Sequence, residues 1–566
     1  MNHASRFDWT AGYPSRRSPL FARNIVSTSH PLAAQAGLRV MQAGGNAVDA
    51  AIATAACMTL VEPCSNGLGS DAFCILWDGE RLHGLNASGP APAAWTPGFF
   101  DGPTMPRRGW GSVTVPGAVA GWVALSERFG RLPFADLMQP AIEIAERGYA
   151  VPPIVQGKWA MAAALQEITS QPGFAQAFLP GGRAPAVGEL FRFEDAARSL
   201  KLIAQTRGEA FYRGEIAAAL ARFARETGGA LTEADLAGYR PEWVTPLAKD
   251  YAGHTLHEIP PNGQGIAAQM ALGLLENLDL TAHPIDSPEA QHLMIEAMKL
   301  AFADVYRHVA EPSSMQVTPA QLLDPGYLAE RSRLIDPRRA QVFGAGNPVK
   351  GGTIYLTAAD ESGLMVSFIQ SNYMGFGSGL VLPGYGISLQ NRGHCFTLEA
   401  GHPNQVAPGK RPFHTIIPAF LTAPTSPAAP APQGGAAPPW GGPAEAPATR
   451  TPSVVPVMSF GVMGGNMQPQ GHMQTLVRML AYGQNPQAAC DGPRWRFNEG
   501  LSVNIEPHMP AATIEALRAR GHQVGDIHDS YQDFGAGQFI WRLGDPGVEG
   551  YVAASDPRRD GAAVGW

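Results

Sequence analysis

The sequence predicts a large α+β protein, and three observations carry that expectation. The 566 residues are 45% hydrophobic and only 16% charged, so a substantial core is available to one large composite or to several ordinary domains. Thr353, Tyr355 and Thr357 alternate with Ile354 and Leu356 at strand period, Asp360–Gly363 carries turn chemistry, and 365–371 runs back as a second strand. Against this hairpin stand helix signals of a different period. Asn46 precedes Ala47-Val48-Asp49, and Ser287-Pro288-Glu289 places a cap and then a proline at the first helical position.

Taken in order, residues 1–28 read as an irregular arm rich in Ser, Arg and Pro. Asn46 and Asp49 form a capping box for a helix through Leu60 whose residues are small and apolar nearly all round, which predicts burial. Pro63 stops it, and a glycine-rich turn from Ser65 to Phe73 leads into a strand at 74–77. That turn is no dinucleotide fingerprint, because the helix comes before the glycines and the strand after. An extended stretch at 113–117 precedes helices around 122–129 and 137–147, and a helical region runs to about 225. Residues 251–258 predict a strand and 266–277 a helix. The helix opened by Ser287 runs to about Val309 with Leu293, Met294, Ala297, Met298 and Ala301 on one face. Residues 423–456 are dominated by Ala, Pro and Gly, a composition that buries no core, and read as a flexible surface insertion. A strand at 457–461, a helix at about 471–481 and a last helix at 511–520, closed by Gly521, follow.

Composition narrows the function. A net charge of −7 gives no protein-wide basic surface for nucleic acid. The first residues lack an apolar signal region and no apolar run is long enough to span a membrane, so the expectation is a cytoplasmic protein. The 5 cysteines form no Cys-x-x-Cys pair and fit reduced thiols. No His-Glu-x-x-His or comparable spacing appears, so neither a metal nor a cofactor is expected.

The Thr353 hairpin supports two readings. In one it is an ordinary structural hairpin. In the other the chain is cut between Gly352 and Thr353, and Thr353 then carries both a hydroxyl nucleophile and a free α-amine as its base. An α-amine titrates near pH 7.7–8.0, roughly, so it exchanges protons at working pH.

The combined pattern resembles the γ-glutamyltransferase (glutathione hydrolase) family of N-terminal nucleophile hydrolases. The resemblance is carried by Gly44–Ala51, Val61-Glu62-Pro63, Val115–Gly121, Glu296–Asp304, Phe376-Gly377-Ser378-Gly379, Pro408–Pro412 and Met463-Gly464-Gly465, in this order over nearly the whole chain. It implies a four-layer αββα sandwich and a proenzyme that cleaves itself into a large subunit, 1–352, and a small subunit, 353–566, which stay together; a dimer of such pairs is left open. Thr353 falls at the position of the nucleophile, and Gly352 permits the backbone strain that self-attack needs. Ser371 stands where the family places a supporting threonine. Gly464 and Gly465 match the pair whose N–H groups form the oxyanion hole.

The departures bear on substrate. The family's γ-glutamyl enzymes hold the α-carboxylate with an arginine where this chain has Ser88, and the α-amine with an acid where it has His394-Cys395. Their paired serines become His414-Thr415. Losing both charge-assisted contacts, each worth about 1.5–3 kcal/mol, argues against γ-glutamyl transfer. The segments 390–393, 413–415 and 463–472 are similar to a subgroup that includes oxamate amidohydrolase. Arg392 is then a candidate carboxylate partner, because a guanidinium fork matches a planar carboxylate. His414, Thr415 and His472 are candidates to line the same pocket. The reading is a self-processing amidohydrolase of a small amide acid. A γ-glutamyl transferase, an uncleaved binding protein of the same fold and an acylase acting on a β-lactam side chain are its rivals.

Overall fold

The computed structural model describes residues 17–343, 352–425, 454–525 and 533–566, and of Gly352 and Thr353 it gives the backbone. Fourteen strands build two antiparallel seven-stranded sheets. In chain order they are β1 (Leu20–Ala22), β2 (Ile25–Thr28), β3 (Asp71–Trp77), β4 (Leu82–Ala87), β5 (Glu242–Val244), β6 (Leu247–Tyr251), β7 (His254–Glu258), β8 (Gly352–Ala359), β9 (Met365–Tyr373), β10 (Ala419–Pro424), β11 (Val454–Val462), β12 (Gly537–Arg542), β13 (Tyr551–Ser555) and β14 (Ala562–Gly565). The first sheet has the order β14-β2-β8-β9-β3-β4-β5 and the second β1-β13-β12-β11-β10-β7-β6.

The sheets pack face to face. Between them lie Ile25, Phe73, Tyr355 and Ile369 from one and Phe420, Ile540, Tyr551 and Ala553 from the other, all buried. The outer face of the first sheet is covered by α1 (Pro31–Gln42), α2 (Ala47–Val61), α3 (Ala118–Phe129) and α4 (Phe134–Arg147). The outer face of the second is covered by α5 (Ile266–Leu275), α6 (Pro288–His308) and α7 (Met467–Leu476). The result is a four-layer αββα sandwich. Both sheets mix strands from the two sides of the Gly352–Thr353 bond. In the first, β8 is flanked by β2 and β9; in the second, β7 pairs with β10 and β1 with β13.

The α2 helix shows why these residues take this form. The Asn46 side chain accepts from the N–H groups of Val48 and Asp49, and Asp49 accepts from the Asn46 N–H, completing the capping box. The Asp49 carboxylate also accepts from the N–H groups of Arg131 and Leu132, tying the α3–α4 link to the helix start. The Ala47 N–H donates to Asp360 Oδ2 at 2.7 Å, which docks this end on the β8–β9 turn. With both neighbours packed on it, every residue of α2 is buried, so its all-round apolar sequence costs nothing in exposure.

Several expectations change. The arm contains β1 and β2, and β2 is fully buried because Ile25-Val26-Ser27-Thr28 pairs with β8 and β14; its residues 1–16 lie outside the described part. The strand expected at 251–258 is a hairpin of β6 and β7 turned by Ala252 (φ 47°) and Gly253 (φ 77°). Strands β10 and β11 extend into both ends of the 423–456 insertion, whose residues 426–453 lie outside the described part. The helix expected to start near 471 starts at Met467. None of the described cysteines forms a disulfide. No helix among the described residues is long and apolar enough to cross a membrane. His292, Glu296 and His522 converge although their spacing hides them in the sequence. There the two imidazoles hydrogen-bond each other at 2.8 Å, and the Lys299 ammonium, 2.7 Å from Glu296, supplies the cation.

Replacing Asn46 with alanine removes the cap from a buried helix end. The expected loss is about 1–2 kcal/mol in urea unfolding; a loss below a few tenths would show that the box does not hold α2.

Candidate active site

The backbone at Thr353 is irregular. Gly352 pairs with Tyr373 and Ile354 with Gln370, so Ser371 and Asn372 together oppose Thr353 across the β8–β9 ladder. This is a β-bulge, a device that ends or re-aims pairing beside functional sites. Tyr373 has φ 77°, a left-handed conformation that costs a non-glycine residue about 1–3 kcal/mol. Its N–H donates to Ser371 Oγ at 2.7 Å. Around it, the Met374 N–H donates to Asn391 Oδ1, the Asn391 N–H to the Asn372 carbonyl and Ser70 Oγ to Asn372 Oδ1. These bonds over-determine the strained turn.

Arg392 lies beneath Tyr373, its guanidinium 4.4 Å from the ring centroid. It is completely buried. Nη1 donates to Thr415 Oγ1 at 2.7 Å, whereas among the described residues Nε and Nη2 have no hydrogen-bond partner. Two unsatisfied donors on a buried cation are costly, and their fork geometry matches a carboxylate. A pocket of about 640 Å³ adjoins this residue, lined among others by Tyr306, Tyr373, Cys395, Phe413, Thr415 and Asn466.

His414 is also fully buried, its Nε2 3.2 Å from Asp71 Oδ2 and its Nδ1 accepting from the Ile416 N–H. An acceptor Nδ1 leaves the proton on Nε2. Burial, aided by Arg392, holds this imidazole well below its ordinary range. The contact with Asp71 is therefore a hydrogen bond from a neutral ring, not an ion pair. Burial pushes the Asp71 carboxyl up to about 7, although Arg392 and the N–H groups of Gly89 and Gly117 oppose that rise. Asp71 is the register partner of Ser371, so Ser371, Asp71, His414, Thr415 and Arg392 form one connected region under the bulge.

Gly464 (φ 121°) and Gly465 (φ 61°) make the turn from β11 into α7. Both are buried, and among the described residues neither N–H has an acceptor. Their carbonyls accept from the N–H groups of Met467 and Gln468 at the helix start, and Gln264 Nε2 braces the Gly465 carbonyl at 3.0 Å. Two free donors at a helix N-terminus suit a developing negative charge.

His472 stands apart. It lies in the second turn of α7, and its Nδ1 meets Glu258 Oε1 on β7 at 2.7 Å. It is not among the described residues that line the pocket; the helix begins four residues earlier than the sequence suggested, which turns this side chain into the packing behind the second sheet. Burial lowers its pKa to about 3. Ser88 bonds Asn86 and Asn262 in a buried amide network, while His394 and Cys395 line the pocket. Sequence reasoning missed Asp71, Tyr373 and Tyr306. Only Asp71 left a signal, as the one charge at the head of an otherwise apolar strand.

This architecture defines an N-terminal nucleophile hydrolase. Residues 33–437 and 447–566 match the family described as Gamma-glutamyltranspeptidase, and the chain belongs to that family as an amidohydrolase with an N-terminal nucleophile. The structure is similar to that of a cephalosporin acylase from Bacillus halodurans, with a TM-score of 0.88, 44% identity and 99% of each chain covered. The sequence is 34% identical over 560 residues to the glutathione hydrolase-like YwrD proenzyme of Bacillus subtilis, covering 97% of this chain and 99% of the relative. It is also 34% identical over 563 residues, with the same coverage, to the oxamate amidohydrolase proenzyme of Klebsiella pneumoniae.

The buried titratable groups fix a pH response. His414 and His472 are neutral in the folded protein, but in the unfolded chain each takes up a proton near pH 6.5. Their contribution is fully present above that value and falls as pH drops, by up to about 1.4 kcal/mol per pH unit for each. Asp71 has the opposite sign: it holds its proton to about 7 when folded, so its contribution fades as pH rises from about 4 to 7. Urea midpoints measured from pH 7 to 5 are expected to fall less steeply for His414→Asn than for the native protein. Imidazole resonances of folded His414 or His472 titrating near 6.5 would contradict the assignment.

Proposed function

We propose that the chain cuts itself between Gly352 and Thr353 and that the new N-terminal threonine hydrolyses a small amide acid of the oxamate type. In self-cleavage the Thr353 hydroxyl attacks the Gly352 carbonyl, the acyl group passes from nitrogen to oxygen, and water splits the resulting ester. Large (1–352) and small (353–566) subunits then remain joined through their shared sheets. In turnover the hydroxyl attacks the substrate amide while the Thr353 α-amine takes its proton. The N–H groups of Gly464 and Gly465 stabilise the oxyanion. The amine returns the proton to the leaving nitrogen, ammonia departs, and water attacks the acyl-threonine ester to release the acid. Ser371 orients the Thr353 hydroxyl. Thr415 and the Asp71–His414 pair hold Arg392 in place. Every group in this scheme comes from the chain itself.

The observation that carries the substrate class is Arg392, fully buried with Nε and Nη2 unpartnered. The acid's carboxylate satisfies both donors at once. A second reading has one specific support: about 640 Å³ is more room than oxamate fills, so an amide with a bulkier leaving amine fits, in line with the likeness to a cephalosporin acylase.

Ammonia or amine release from a panel of small amide acids, γ-glutamyl anilide with and without an acceptor dipeptide, and acylated β-lactam nuclei separates these readings. The expected result is fastest release from a short amide acid, no stimulation by the acceptor, and loss of release in Thr353→Ala; equal rates in both proteins would remove Thr353 from the reaction. Arg392→Lys loses the bidentate contact, about 1.5–3 kcal/mol, so KM is expected to rise roughly 10- to 100-fold. An unchanged KM would place the carboxylate elsewhere.

A further inference from the structure

We propose that the buried Arg494–Asp556 ion pair is a positioning device for the oxyanion turn, holding residues 534–537 as the seat on which the Met463–Gly464 peptide is built. The inference rests on the oxyanion role of Gly464 and Gly465 and names what fixes their orientation.

The seat touches the turn at two points. The Met463 N–H donates to the Ala536 carbonyl at 3.0 Å. Gly535, at φ 63°, passes so close that a Cβ there would lie 1.8 Å from the Met463 carbonyl oxygen. The Met463–Gly464 peptide, which carries the Gly464 N–H, is thus packed at its oxygen, and the preceding Val462–Met463 peptide is held through the Met463 N–H. A carbonyl oxygen and the N–H of the same peptide are rigidly coupled by the planar amide, so any shift of Gly535 rotates the Gly464 donor.

The ion pair holds this seat at both ends. Arg494 Nη1 donates to the Phe534 carbonyl at 2.9 Å and lies 2.9 Å from Asp556 Oδ2. That same Oδ2 accepts from the Gly537 N–H at 2.7 Å, and the Asp556 N–H returns a bond to the Gly537 carbonyl. Asp556 Oδ1 accepts from Arg558 Nη1, and the Arg494 backbone is locked to Glu506 through its N–H and carbonyl. Arg494 and Asp556 are 2% and 0% exposed. A buried ion pair is a weak source of stability compared with apolar packing of the same volume. Its value here is directional: the two charges hold the Phe534 carbonyl and the Gly537 N–H at either end of a loop that has no side-chain packing of its own at position 535.

The test compares native enzyme with Asp556→Asn and Gly535→Ala on processed protein, with active sites titrated. The substrates are oxamate and thio-oxamate, or whichever panel amide is turned over fastest and its thioamide. Loss of a whole oxyanion donor costs roughly 10²–10³ in kcat; a misdirected one is expected to cost about 10- to 100-fold in both variants. KM should stay within about twofold, and the preference for oxygen over sulfur should shrink. Variants that keep the native kcat per titrated site and the native oxygen-to-sulfur preference, with only a lowered Tm, would overturn the positioning role and leave the pair structural. A native enzyme with no such preference would overturn the oxyanion reading of Gly464 and Gly465 first, and the positioning role with it.

Discussion

Strand β8 is hydrogen-bonded along one edge to β2, which precedes the Gly352–Thr353 bond, and along the other to β9, which follows it. The constraint this places on the molecule is severe. A chain that enters the centre of a sheet between strands from its own two halves cannot withdraw after a cut without breaking both ladders and the core between the sheets. The bond can therefore be sacrificed while the fold is kept. The bulge at Thr353 adds the complementary feature, since the ladder is locally released at the residue proposed as nucleophile. The strain at Tyr373 is held by Ser371, Asn372 and Asn391, all on the far side of the bond.

The chemistry beneath the bulge follows from dryness. A chain with 16% charged residues nevertheless buries Arg392, Asp71 and His414 together. Burial strips these groups of water, which drives the imidazole neutral with help from Arg392 and raises the Asp71 carboxyl against the pull of the same cation. What stays unsatisfied is one face of a guanidinium and two backbone N–H groups. Both present positive charge or partial charge, the sign that suits a carboxylate or an oxyanion.

Much of this was legible in the sequence because its signals are local. Asn46 with Asp49, Ser287 with Pro288, and the alternation from Thr353 to Thr357 act within a few residues and appear as read. Arg392 and Thr415, carried by two separate altered motifs, meet in a hydrogen bond. What escaped depends on distance. Strand β2 looks like loop until β8 covers it. Asp71 gains its meaning only from Ser371 across the ladder and from His414 in the segment before β10. His472 meets Glu258 of β7, a contact between elements far apart in the sequence. The Arg494–Asp556 pair joins segments that no spacing rule connects.

A cut between Gly352 and Thr353 would give one residue both a hydroxyl and a free amine. N-terminal sequencing of the purified, active protein tests it most directly. The account predicts two polypeptides, the smaller beginning Thr-Ile-Tyr-Leu at Thr353. Full activity in a single uncut chain, or a cut at any other bond, would contradict it.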